Sequence, residues 1–320
     1  MDDLNTLPLD ELYKWLSRSG LITRLLELAR DEDLGRDWEL GDVTSRALTL
    51  PTDRARGMLV SRRAGVIAGL AVVPEILHLF KADVDLISGK GIDDGAKVDA
   101  GTVIGTLVGN HRAMLGAERT LLNVLGRLSG IATRTAEFAA LTAGTPARIY
   151  DTRKTSPGLR VLEKYAVRCG GGFMHRLGLH DAALIKDNHI AGVPVDQRAG
   201  VVARAVKRAR EEALREGLRF IELEVDSLEQ FKALLAAEAF KSGGVDIVLL
   251  DNMPAEQLRE AVRLRDEAKV RVRLEASGGI SKDNIVEIAG TGVDRISLGT
   301  LTHGATWLDV ALDIEGPVRR

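Results

Sequence analysis

From Arg148 onward the chain repeats one unit: a short apolar run, a loop, then an amphipathic helix. Six apolar runs qualify as strands: Arg148–Thr152, Ala182–Lys186, Phe220–Val225, Asp246–Leu250, Val272–Ala276 and Arg295–Leu298. The last four begin about 25 residues apart, the length of one strand-helix unit. Between them, apolar residues at helical spacing mark Ser227–Phe240, Pro254–Ala268 and Lys282–Ala289. Asp226 or Ser227 suits the cap of the first helix, Pro254 the first turn of the second, and Ser281 the cap of the third. Strands joined by helices across short loops favour parallel pairing, because each helix returns the chain to its starting edge. The pattern predicts an α/β fold, most simply a closed or nearly closed βα barrel with six strands and a possible seventh.

The chain before this series has another texture. From Asp42 to about Asn110 it is rich in Gly, Val and Ile, with alternating runs such as Gly57–Val60 and Thr102–Val108. Turn signals at Ser88-Gly89, Asp94-Gly95 and Ala100-Gly101 separate them, which predicts a small antiparallel β domain. Helical segments flank it, Leu21–Arg30 before and Glu118–Ala143 after. The expected organisation is an N-terminal α+β domain over residues 1–125, joined by the C-terminal segment 301–320, and a barrel domain over 126–300.

Charge excludes several function classes. The net charge of −2 attracts neither nucleic acid nor an anionic membrane, so any anion must be held by a local cation cluster. A single cysteine, Cys169, excludes an internal disulfide and fits a reducing compartment. The acidic start MDDLNTLPLDELYKW lacks a signal-peptide layout, and the apolar stretch Gly65–Phe80 is broken by Pro74-Glu75 and too short to span a bilayer. A cytoplasmic protein is expected.

Barrel chemistry sits where strands end. Here those ends carry Asp151-Thr152-Arg153-Lys154, Lys186-Asp187-Asn188-His189, Leu250-Asp251-Asn252, Glu275-Ala276-Ser277-Gly278-Gly279 and Ser297-Leu298-Gly299-Thr300. In Phe220–Val225 alternation puts Glu222 and Glu224 on one face and Ile221, Leu223 and Val225 on the other. Each feature alone has a bland reading: a solvated Arg-Lys loop, a solvent-facing strand edge, a helix cap, ordinary turn glycines. Their order is more specific. Arginines suit carboxylate recognition, mid-barrel acids suit Mg²⁺ or ribose hydroxyls, and glycine loops after the last strands suit a phosphate. Together they describe a pocket for a phosphorylated sugar beside a small polyanion. His175, His180 and His189 have neither the spacing nor the cysteine companions of a transition-metal site. No strand-GxGxxG-helix context for a dinucleotide is present either.

These residues resemble the quinolinate phosphoribosyltransferase family. The motifs run in order: Gly41-Asp42-Val43-Thr44-Ser45, Glu118-Arg119-Thr120, Asp151-Thr152-Arg153-Lys154-Thr155, His175-Arg176, Leu184–His189, Leu249–Asn252 and Glu275–Gly279. The resemblance implies an incomplete, about seven-stranded α/β barrel with an N-terminal α+β domain. It implies a homodimer or dimer-based hexamer with Arg119 contributed across the interface. Arg153, His175 and Arg176 would bind the quinolinate carboxylates, Thr152 would be a further substrate-binding residue, and Lys154 and Lys186 would span quinolinate and phosphoribosyl pyrophosphate. Glu224 and Asp251 would face the ribose and Mg²⁺, and Ser277, Gly278, Gly279, Gly299 and Thr300 the 5′-phosphate. The implied activity is a pentosyltransfer of NAD biosynthesis yielding nicotinate mononucleotide, CO₂ and pyrophosphate, with Lys154, Lys186, Glu224 and Asp251 as its catalytic residues. The alternatives are a related phosphoribosyltransferase of the molybdenum-transport-associated type, a metal-dependent barrel lyase using Glu222, Glu224 and His189, and a non-catalytic binding protein. Two departures stand out: Met174 where many members have Asn, and a longer helical stretch at Ala199–Glu216.

Overall fold

A computed structural model describes residues 4–35, 41–189, 192–193, 195–216, 218–236, 240 and 244–315. The chain divides into two compact units: one holds Glu137–Arg153 and Gly172–Gly299, the other Leu4–Ala136, Lys154–Gly171 and the chain from Thr300. The strands in chain order are β1 Arg54–Ser61, β2 Gly65–Val66, β3 Val84–Ser88, β4 Lys97–Val98, β5 Val103–Asn110, β6 Arg148–Tyr150, β7 Ala183–Ile185, β8 Ile221–Val225, β9 Ile247–Asp251, β10 Arg273–Ser277, β11 Arg295–Ser297 and β12 Val310–Glu315.

The first unit is built on a six-stranded sheet of order β6-β11-β10-β9-β8-β7, and every pair in it is parallel. A parallel sheet is covered on both faces, so its strands read as continuous apolar runs rather than alternating ones. Ile247, Val248, Leu249 and Leu250 of β9 are all buried. The connecting helices Leu228–Ala236, Ala255–Glu267 and Ile285–Ala289 fall inside the expected segments. Residues 237–239 of the first expected segment lie outside the described residues. Ser227 Oγ accepts the Gln230 N–H at 3.4 Å and Asp226 Oδ1 accepts from the Gln230 side chain at 2.6 Å, so both predicted caps act on the same turn. The helix Val195–Glu216 runs 22 residues.

All six expected strands appear, but the resemblance implies about seven. After the triple glycine the chain touches β6 through one isolated parallel bridge, Tyr150↔Phe173. Phe173 N–H donates to the Ile149 carbonyl at 2.8 Å, and the Phe173 carbonyl accepts the Asp151 N–H at 3.1 Å. The Asp151 carboxylate then takes the His175 N–H at 2.8 Å, and the pairing stops there. Among the described residues no ladder joins this segment to β7, so the sheet is described with six strands and two edges, β6 and β7.

In the second unit a four-stranded antiparallel sheet has the order β12-β1-β5-β3. Its last strand comes from the C-terminal segment and pairs antiparallel with β1 from Arg56↔Glu315 to Ser61↔Val310. That return is set by two glycines one turn apart on the helix His111–Leu141. Gly126 accepts the Leu308 N–H at 2.9 Å, and a Cβ on Gly130 would lie 2.1 Å from the Thr306 carbonyl and 2.9 Å from Trp307 Cα. Among the described residues no helix is long and apolar enough to cross a membrane.

Gly130→Ala must therefore displace main chain rather than a pliable side chain. We expect a destabilisation of about 2 kcal/mol, in the range of overpacked cores. An unchanged denaturant midpoint at unchanged m-value would contradict this packing.

Candidate active site

Parallel pairing sets all six strand ends at one edge of the sheet. In register, Ser277 of β10 stands beside Asp251 of β9, Leu250 beside Val225 of β8, and Ser297 beside Tyr150 of β6. Thr152 and Arg153 follow β6, Lys186 follows β7, Glu224 is next to last in β8, Asp251 and Ser277 end β9 and β10, Gly278 and Gly279 come next, and Gly299 follows β11. The edge thus gathers the predicted first-unit residues.

Lys186 donates its ammonium to Glu224 Oε2, and its main-chain N–H donates to His189 Nδ1 at 2.8 Å. His189 thereby fixes the Lys186 main chain, while its ring stays exposed. Asp251 accepts from Asn252 Nδ2 at 2.8 Å, and Asn252 N–H donates to the Ser277 carbonyl at 2.8 Å. Asn252 holds a left-handed φ of 54°, and Gly278 one of 89°. A Cβ on Gly278 would sit 2.2 Å from Asn252 Oδ1, so glycine is required there on both counts. These contacts tie the Asp251 loop to the glycine loop.

The Arg176 side chain is buried and donates to the Ala182 carbonyl at 3.3 Å. Burial, and then the neighbouring Arg153 guanidinium, lowers its pKa below the usual arginine value. Two cations held this close favour an anion between them. The turn after Arg176 is closed by Asp181, whose carboxylate takes the Leu177 and Gly178 N–H groups at 2.8 and 2.9 Å. Arg219 joins the same clamp, 3.3 Å from Asp181 and 3.4 Å from the His175 carbonyl.

His175 has both ring nitrogens engaged within the protein. Nδ1 accepts the Arg176 main-chain N–H at 2.7 Å. Nε2 faces Glu222 at 2.8 Å and Glu275 at 3.5 Å. Behind them Arg295 reaches Glu275 at 2.6 Å. All four side chains are buried, and Glu222 and Glu275 have no exposed surface. Burial favours the neutral ring, whereas the charges of Glu222 and Glu275 favour the protonated one. A second ring proton, however, would set N–H against N–H at Nδ1. We assign the neutral tautomer with its proton on Nε2, the nitrogen that lies 2.8 Å from Glu222. An added proton goes to Glu222, whose pKa burial and Glu275 raise. Glu275 stays ionised: burial opposes its charge, but the Arg295 guanidinium beside it pulls its pKa well down.

His175, Glu222 and Glu275 have the composition of a metal site, but the Arg295 guanidinium already supplies their cation. Glu224 and Asp251 offer the hard carboxylate oxygens that Mg²⁺ takes, at the accessible edge, and fit that ion better. Sequence spacing drew attention to Glu222 through strand alternation and to Glu275 through its motif. It carried no signal for Arg295 or Arg219.

Three predicted residues belong to the second unit. Arg119 is exposed on the long helix. The Lys154 carbonyl accepts Thr302 Oγ1 at 2.6 Å, and Thr300 Oγ1 accepts from Arg134 at 2.5 Å. A buried Glu163 organises the loop after Lys154, taking the Ser156 N–H and hydroxyl at 3.1 and 2.9 Å and Arg127 at 2.6 Å. Arg127 also donates to the Thr302 carbonyl at 2.8 Å. Lys154, Thr155, Ser156, Arg127, His303 and Trp307 line a cavity of about 680 Å³ in this unit.

Comparisons with known proteins bear on this arrangement. Residues 42–129 match the family description "Quinolinate phosphoribosyl transferase, N-terminal domain" and residues 131–313 its C-terminal counterpart. The chain is 44% identical over 274 residues to the nicotinate-nucleotide pyrophosphorylase [carboxylating] of Mycobacterium leprae, covering 85% of this chain and 91% of that one. It is 39% identical over 283 residues to a probable enzyme of the same name in Bacillus subtilis, covering 88% and 90%. The solved nicotinate-nucleotide pyrophosphorylase of Francisella tularensis superposes with a TM-score of 0.79 at 35% identity, covering 98% of this chain and all of that one.

Proposed function

The chain belongs to the quinolinate phosphoribosyltransferase family, and on that premise we propose that it joins quinolinate to phosphoribosyl pyrophosphate with loss of CO₂, giving nicotinate mononucleotide and pyrophosphate for NAD biosynthesis. The observation that carries this reading is the strand-end edge, where Arg153 and Arg176 stand together and Lys186 stands against Glu224. Such an edge suits a dicarboxylate next to an anionic sugar. We read the six-stranded parallel sheet as an incomplete barrel, and the cytoplasm as its compartment.

Arg153 and Arg176 take the quinolinate carboxylates, their guanidinium forks matching that geometry, and Thr152 lies beside them. Lys154 and Lys186 span quinolinate and the pyrophosphate. The glycine loops Ser277–Gly279 and Gly299-Thr300 offer main-chain N–H groups to the 5′-phosphate. Glu224 and Asp251 hold the ribose hydroxyls and the Mg²⁺ that enters with phosphoribosyl pyrophosphate. Mg²⁺ held by these two carboxylates would supply charge neutralisation for the pyrophosphate.

Positioning carries most of the first step, because the ring nitrogen has its own lone pair and needs no general base. It attacks C1 of the ribose as the C1–O bond to pyrophosphate breaks. Glu224 and Asp251 favour the positive charge that develops on the sugar. The product is an N-ribosyl pyridinium, an electron sink next to the 2-carboxylate. The C2–carboxylate bond then breaks, its electron pair stays at C2, and C2 takes up a proton as CO₂ leaves. The active form is a homodimer or a dimer-based hexamer, with the exposed Arg119 entering the partner's site.

The direct test is turnover: one CO₂ and one pyrophosphate released per quinolinate consumed, with nicotinate inert. Turnover of nicotinate or another aromatic acid in preference to quinolinate would assign a different acceptor. Arg153→Ala should lower kcat/KM for quinolinate by an amount equivalent to about 2–5 kcal/mol, as for a buried charge left unpaired. Wild-type kcat/KM in that variant removes Arg153 from the pocket. For the shared site, Arg119→Ala and Lys186→Ala subunits, each inactive, should regain part of the activity when mixed. No recovery despite proven subunit exchange would place Arg119 elsewhere.

A further inference from the structure

We propose that Arg295 is a positioning residue for the dicarboxylate pocket, fixing Arg176 from behind through Glu275 and the His175 ring. The proposal rests on Arg176 taking a quinolinate carboxylate. Arg295 lies in β11 directly beside Glu275 of β10 in the parallel register. Arg295 is 3% exposed. It is packed over the Tyr150 ring at 3.8 Å and near that of Phe220 at 5.4 Å. A cation held so deeply within the first unit cannot itself offer charge to a substrate at the strand ends.

Its effect passes through contacts. Arg295 Nε meets Glu275 Oε2 at 2.6 Å, which leaves the other Glu275 oxygen 3.5 Å from His175 Nε2. Glu222 of β8 holds the same nitrogen at 2.8 Å. The opposite side of the ring receives the Arg176 N–H at 2.7 Å. Asp151 of β6 fixes the His175 main-chain N–H at 2.8 Å, Arg219 reaches its carbonyl at 3.4 Å, and the Phe220 ring meets the imidazole edge-on at 5.3 Å. Held from both sides, the ring fixes the Arg176 main-chain N–H.

Without Arg295 the buried carboxylates lose their fixed countercharge. Glu275 then competes with Glu222 for the imidazole, and the ring no longer holds the Arg176 main chain in one place. A Lys at the same position restores the charge without the planar fork.

The test uses the full chain with Arg295→Met and Arg295→Lys, and Arg295→Gln should the methionine variant be insoluble. Steady-state constants for both substrates and nitrogen-15 spectra of the histidine rings are measured alongside Tm. The neutral variant should raise KM for quinolinate at least tenfold while KM for phosphoribosyl pyrophosphate changes less than twofold. It should also displace the His175 Nε2–H resonance from its wild-type position. Arg295→Lys should recover most of both. An unchanged quinolinate KM in a folded neutral variant overturns the proposal. So does an equal loss for both substrates that follows Tm and is not relieved by Lys. If the wild type turns over no quinolinate, the functional reading fails by itself. The His175 resonance then decides the relay: its displacement in the neutral variant and return in Arg295→Lys uphold it, and an unmoved signal overturns it.

Discussion

Six strands running the same way impose one constraint on everything else in the first unit. A parallel sheet is buried on both faces, so polar side chains within it must be satisfied by one another or placed at its ends. The chain does both. The residues proposed for its site stand at the carboxyl ends, where Asp251 pairs in register with Ser277 and the glycine loop follows. Its interior charges close on themselves, as Glu222, Glu275, His175 and Arg295 do.

That buried set is the less usual of the two solutions. Two carboxylates with no exposed surface are costly unless cations are built in with them. Arg295 supplies one positive charge 2.6 Å from Glu275, and His175 Nε2 lies 2.8 Å from Glu222. The imidazole then has one remaining lone pair, at Nδ1, and it goes to the main chain of Arg176. The geometry therefore links charge compensation inside the sheet to the placement of a guanidinium at its edge. The clamp of Asp181 and Arg219 secures the same turn from the other side.

Much of this was legible in the residues. The strand-helix spacing located all six strands, because parallel strands in a covered sheet are continuous apolar runs. Period-two alternation in Ile221–Val225 placed Glu222 and Glu224 on one face. What escaped was tertiary in origin. The segment at Phe173 meets β6 by a single bridge, too short to leave an apolar run and thus unreadable as a strand. Arg295 stands at the start of an apolar run, where an arginine reads as a solvated strand end. Only its register opposite Glu275 reveals that it points inward. The histidines could not be sorted by spacing alone: His175 is buried among carboxylates, whereas His180 and His189 are exposed.

The central claim is that cations at the strand ends hold a dicarboxylate. Calorimetric titration with quinolinate and with nicotinate, which lacks the 2-carboxylate, tests it most directly. A pocket built around two guanidinium groups should bind quinolinate at least tenfold more tightly, about 1.4 kcal/mol or more for the second carboxylate. Equal affinity for the two acids would contradict it.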